Sequence, residues 1–147
     1  MDRCPYPRGP RAAAPALNSA AANYGFSDHG ALVCLEQVGG TVTPQNTLTI
    51  VDRNGVVRRL DVPPVNYRSL RVSPDGCSIA VETVAENGQS IIRVYDLSGK
   101  TAIRRLTQES NNSRPIWTPD SQRIAYGSDR EKAHGIYWQP VDVSWTA

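Results

Sequence analysis

Ser73-Pro74-Asp75-Gly76 returns 45 residues later as Thr118-Pro119-Asp120-Ser121, and each copy leads into an apolar run, Ile79-Ala80-Val81 and Ile124-Ala125-Tyr126. Pro74 presets φ at the first central position of a type I turn, Asp75 can bond nearby backbone, and Gly76 tolerates the geometry that closes the turn. Pro119 and Asp120 repeat the device, so these five residues are read as structural turn residues. A period in the low-to-mid forties, with short strands between turn signals, is the spacing of one four-stranded propeller blade.

The repeat extends in both directions. Arg104-Arg105-Leu106 follows Arg58-Arg59-Leu60 by 46 residues, and Val94-Tyr95-Asp96 follows Ile50-Val51-Asp52 by 44. A degraded third copy of the turn, Ser27-Asp28-His29-Gly30, lies 46 residues before Ser73 to Gly76 and runs into Ala31-Leu32-Val33-Cys34-Leu35. At the other end Asp142-Val143-Ser144 matches Asp96-Leu97-Ser98, and Trp145-Thr146-Ala147 leaves no room for a fourth strand in the last copy. In the middle copy the strands are expected at about Tyr67 to Ser73, Ser78 to Val84, Ser90 to Asp96 and Ala102 to Thr107, with Asn87-Gly88 and Ser98-Gly99 as further turns. No window carries an apolar stripe at helical spacing. The expectation is an all-β chain, a partial β-propeller of about three four-stranded antiparallel blades with the last incomplete. The blades fall at about 23–62, 66–108 and 113–147, after a tail or linker over 1–22 rich in alanine and proline.

The formal net charge is only +2 and the arginines are scattered, which argues against nucleic acid as a partner. Arg58-Arg59 and Arg104-Arg105 read as solvated strand faces or edge residues that discourage unwanted pairing, with a basic binding rim as the other reading. Arg3, Arg8 and Arg11 are not followed by a continuous apolar core, so no signal peptide is evident and a cytoplasmic location is favoured, a periplasmic one staying open if the sequence is a fragment. No stretch approaches the ~18 apolar residues of a membrane span.

Chemistry is sparse. Cys4, Cys34 and Cys77 have neither metal-like nor redox-like spacing. The two histidines, His29 and His134, lack a nucleophile-elbow partner, and no phosphate-cradling loop is present. Asp28, Asp129 and Glu131 lack calcium-loop spacing, and Asp75 and Asp120 are explained by their turns. No catalytic, metal or cofactor residue is assigned. Trp117, Trp138 and Trp145, with Tyr126 and Tyr137, make the last blade aromatic-rich, either as core or as a docking surface.

The run Arg114-Pro115-Ile116-Trp117-Thr118-Pro119-Asp120-Ser121-Gln122-Arg123-Ile124-Ala125-Tyr126-Gly127-Ser128-Asp129-Arg130 resembles the repeat of TolB-type, WD40-like β-propellers. With Ile136-Tyr137-Trp138-Gln139-Pro140 and the upstream Thr49-Ile50-Val51-Asp52-Arg53-Asn54-Gly55, the chain is also similar to the propeller that follows the kinase domain in many bacterial serine/threonine protein kinases. The likeness spans roughly residues 17 to 144. Ser121 replaces the turn glycine, and no kinase motif is present. The resemblance implies a protein-binding or sensory scaffold and carries over no catalytic site.

Propellers close with four to eight blades, whereas about two and three-quarters are coded here. Burying five or six large side chains at the ends of such an arc is worth on the order of 10 kcal/mol, comparable with the stability of a whole domain. The leading expectation is therefore a non-enzymatic interaction or ligand-binding module that completes its ring by self-association, a homodimer being favoured, with a protein partner also open. The interface is expected at Tyr24 and Phe26 of one copy and Trp117, Trp138 and Trp145 of the other. The alternative is a sensor or gating propeller of a larger enzyme, a kinase or a prolyl-oligopeptidase-like hydrolase.

Overall fold

A computed structural model describes residues 24–28, 30, 32–37, 45–52, 54–97, 103–131 and 133–142. The expected tail over 1–22, His29, the Ser98-Gly99 turn and Trp145 lie outside the described residues.

Every named element is a strand. Blade 1 contains β1 (Tyr24–Phe26), β2 (Leu32–Gln37), β3 (Asn46–Val51) and β4 (Val57–Arg59). Blade 2 contains β5 (Asn66–Val72), β6 (Ser78–Val84), β7 (Ser90–Asp96) and β8 (Arg104–Arg105), and blade 3 contains β9 (Asn112–Trp117), β10 (Arg123–Ser128) and β11 (Gly135–Pro140). Each blade is an antiparallel meander, ordered β1-β2-β3-β4, β5-β6-β7-β8 and β9-β10-β11. The chain is a partial β-propeller. Among the described residues no helix is long and apolar enough to cross a membrane.

The turns form as their side chains dictate. Gly76 N donates to Ser73 O at 2.8 Å, and Asp75 Oδ1 accepts from Cys77 N at 2.9 Å and from the Ser73 hydroxyl. In blade 3 Ser121 N donates to Thr118 O at 2.9 Å, and Asp120 Oδ1 accepts from Gln122 N at 3.0 Å and from the Thr118 hydroxyl. Gly76 stands at φ 74° and Ser121 at φ 60°, both in the left-handed region that a side chain disfavours. Ser121 is nevertheless useful there, because its Oγ accepts from Asp75 N of the neighbouring blade at 3.2 Å.

Burial separates the blades from one another. In β6 the five residues from Ile79 to Thr83 are all buried, because both faces of blade 2 are covered. Ile79 and Val81 join Leu70, Val72, Val33, Leu48 and Ile50 in a core between blades 1 and 2. Ala80 joins Ile92, Val94, Leu106, Trp117 and Ile124 in a second core between blades 2 and 3. The first strand of each later blade lies across the preceding blade: β5 touches β1, β2 and β3, and β9 touches β5, β6 and β7. Gly25 permits the approach of β5, since a Cβ there would stand 2.9 Å from Leu70 Cδ1 and 3.3 Å from Val72 N.

Candidate interaction faces

The registers align three residue sets. The pairs Val33 with Ile50, Ala80 with Val94 and Ala125 with Trp138 occupy the same place in successive blades. Third-strand residues facing the following blade are thus Leu48 and Ile50, then Ile92 and Val94, then Ile136 and Trp138. The first four are at most 5% exposed, whereas Ile136 is 85% and Trp138 60% exposed. Aligned on the turns that follow them, first-strand residues facing the preceding blade are Tyr24 and Phe26, then Leu70 and Val72, then Pro115 and Trp117. All but the first pair are buried; Tyr24 and Phe26 are 52% and 63% exposed. Ile116, on the side of β9 opposite to Trp117, is the fifth large exposed apolar side chain among the described residues.

All five therefore lie on two surfaces, one at each end of the arc, where the repeat would place a neighbouring blade. The face of blade 1 carries Tyr24 and Phe26 edge to face, with ring centroids 5.5 Å apart. The face of blade 3 carries Ile116, Ala125, Ile136 and Trp138, with the Arg123 guanidinium 4.7 Å from the Trp138 ring centroid. It opens into a concavity of about 760 Å³ whose wall includes Ile116, Ala125, Gly127 and Ile136.

Trp117, expected at the interface beside Trp138, points the other way. Neighbouring residues of a strand face opposite sides. Its indole is buried against blade 2, and Nε1 donates to Arg71 O at 2.9 Å. Ile116 takes the place on the open face. Ile116 and Ile136 were missed in the sequence because an isolated isoleucine in a strand carries no signal; only alignment of Ile136 with Ile92 marks it.

Blade-to-blade polar contacts are local. Gln139 Nε2 donates to Leu106 O, and Arg104 reaches Asp142 at 3.9 Å across the blade 2–blade 3 boundary. Arg104 and Arg58 are half-buried, while Arg59 and Arg105 are exposed. Within blade 2, on its side towards blade 1, the hydroxyls of Tyr67 and Tyr95 meet at 2.9 Å. Burial pushes both phenols above their ordinary range.

The remaining candidates do not converge. The Thr118 hydroxyl and then Gln122 N–H hold the Asp120 carboxyl below the usual range, and the Asn111 side chain and backbone do the same for Asp129. Among the described residues no three His, Cys, Asp or Glu side chains form a metal-binding group. Among the described residues no disulfide joins Cys34 and Cys77.

Neither a protein-family model nor a curated protein matches the chain by sequence. In structure it is similar to TolB from Acinetobacter baumannii, with TM-score 0.66 and 21% identity over 86% of this chain and 31% of that one. The β-propeller domain of the Trilobed protease from Pyrococcus furiosus, described as having an open velcro topology, aligns with TM-score 0.55 and 18% identity over 82% of this chain and 42% of that one. Pyrococcus horikoshii acylaminoacyl peptidase aligns with TM-score 0.55 and 21% identity over 74% of this chain and 18% of that one. The chain spans less than half the length of each of these structures.

Proposed function

We propose that this chain is a non-enzymatic interaction module whose two uncovered blade faces are seats for further propeller blades, supplied by a second copy of itself. The observation that carries the reading is the placement of all five exposed large apolar side chains among the described residues at positions where the repeat expects a neighbouring blade. The seat for Trp117 in blade 2 is built from Ala80, Ile92 and Val94; the matching surface of blade 3 offers Ala125, Ile136 and Trp138. Phe26 stands in the strand position of Trp117, so blade 1 of one copy fits blade 3 of another by the contact the chain already makes internally. Two copies of three blades make six, within the natural range, and a two-fold axis makes both contacts equivalent. Covering five large side chains per contact is worth on the order of 10 kcal/mol, the scale needed to offset the entropy of association.

Light scattering at micromolar concentration tests the reading. The wild-type chain is expected to be a dimer, and Phe26→Glu and Trp138→Glu each a folded monomer. A well-folded wild-type monomer would sink self-association and leave the competing reading, a sensor or gating propeller of a larger enzyme in which blades of the same polypeptide cover these faces. The non-enzymatic part rests on the sparse chemistry of the sequence; turnover by the chain alone that His134→Ala abolishes would overturn it.

A further inference from the structure

Both inner strands of the blade 2–blade 3 pair are broken by a bulge, and an arginine sits at each. In β5 the register against β6 shifts between Tyr67 and Ser69, which sets off Arg68. In β9 the shift falls opposite Ala125 to Gly127, and Arg114 there has φ 55°. Bulges re-aim side chains, and a non-glycine residue held at positive φ stores strain that its surroundings must support. The support here is Glu82, a carboxylate only 6% exposed. Its Oε2 accepts from Arg114 N at 3.1 Å and from Ser69 Oγ at 3.0 Å, bonds that fix the bulge without touching the Arg114 guanidinium. Arg68 and Arg114 are both exposed, and both line the concavity together with Glu82, Ser113 and His134. Neither guanidinium forms an ion pair with a described carboxylate.

We infer that Arg68 and Arg114 form a binding site for an oxyanion, a carboxylate or a phosphate, at the polar end of this concavity. Two planar forks of N–H donors against one carboxylate that is already engaged leave net positive charge and unmet donor capacity, the combination that suits a bidentate oxygen ligand. Glu82 is a positioning residue: it aims Arg114 and its own charge opposes the ligand. The site lies within one chain and does not rest on ring closure.

The test is titration of the full chain with inorganic phosphate and, separately, with acetate, followed by the backbone amide resonances of Arg114 and Ser113, with sodium chloride at matched ionic strength as control. Saturable shifts with phosphate, acetate or both are expected, the tighter of the two identifying the oxyanion. Arg68→Gln and Arg114→Gln, which keep the backbone N–H that Glu82 holds, should each weaken binding about ten- to a hundredfold. Glu82→Gln should bind several-fold tighter, as its amide oxygen still accepts while the opposing charge is gone. Shifts no different from those with chloride, or affinity unchanged in the Arg68→Gln, Arg114→Gln double variant at unchanged melting temperature, would overturn the site.

Discussion

Replacing Ile92 by alanine, and separately Ile136 by alanine, makes one chemical change at two equivalent positions that differ only in whether a blade covers them. Ile92 is 0% exposed and packs among Ala80, Val94, Leu106 and Trp117, whereas Ile136 is 85% exposed. Truncating a buried isoleucine removes its transfer energy and leaves a cavity, about 2 to 5 kcal/mol together. Against a total stability on the order of 5 to 15 kcal/mol, Ile92→Ala removes a large share. Ile136→Ala in the single chain loses almost no burial and should stay within about 0.5 kcal/mol, as an ordinary surface change does. If a second copy covers it, the loss rises to about 1.5 to 3 kcal/mol and depends on protein concentration. Urea unfolding of both variants, at a concentration where the chain is dimeric and at one where sedimentation shows monomer, reads all these terms. The reasoning fails if Ile92→Ala costs less than about 1 kcal/mol, or if Ile136→Ala costs as much as Ile92→Ala in the monomer.

Three further outcomes are expected. Gly25→Ala should destabilise by about 1 to 3 kcal/mol in thermal unfolding, because its methyl meets the packed Leu70 side chain and the Val72 backbone. Asp75→Ala should cost about 0.5 to 2 kcal/mol, by analogy with capping side chains, and a variant that kept its melting temperature would refute the turn role. The Asp120 carboxyl is held below its unfolded value, so the unfolded chain takes up this proton first as pH falls; stability from this group is present above about pH 4 and drains away below it. Asp120→Asn should make the acid-side decline of melting temperature shallower, and an unchanged decline would show that the Thr118 and Gln122 bonds carry no weight.

The fold was legible because its signal is periodic. Ser78–Val84 and Ser90–Asp96 are the strands the turn residues delimit, and β5 differs from its expected span only by one residue, Asn66–Val72 for Tyr67 to Ser73. Among the described residues the fourth strand of blade 2 is shorter than the expected Ala102 to Thr107, with ladder pairing at Arg104–Arg105: Leu106 N still donates to Ile92 O in register, but Ile92 N turns to the Thr107 hydroxyl and Leu106 O accepts from Gln139 of blade 3, so no return bond continues the ladder. The open faces were half legible. Tyr24, Phe26 and Trp138 stand out as aromatics, but the direction of Trp117 depends on strand parity counted from the turn, and a type-based reading treats all tryptophans alike. The bulges at Arg68 and Arg114 left no trace in composition, since they arise from how β5 and β9 meet their partners. In the sequence Ser121 is only a departure from the turn glycine, and the contact with Asp75 N of the preceding blade shows why a side chain is useful there.

Blade 2 is walled on both sides, and that asymmetry has a kinetic consequence. Because the described residues of each blade pack on the adjacent blade, the chain should come apart as a short stack does, from its ends. Amide hydrogens of β6 and β7, with a packed core on either side, should exchange with solvent most slowly, while those of β1 and β11 open in small excursions that leave the centre intact. A partner that caps the outer faces would convert this graded opening into a single cooperative event, so that the exchange rates of the outer strands fall towards those of the middle ones.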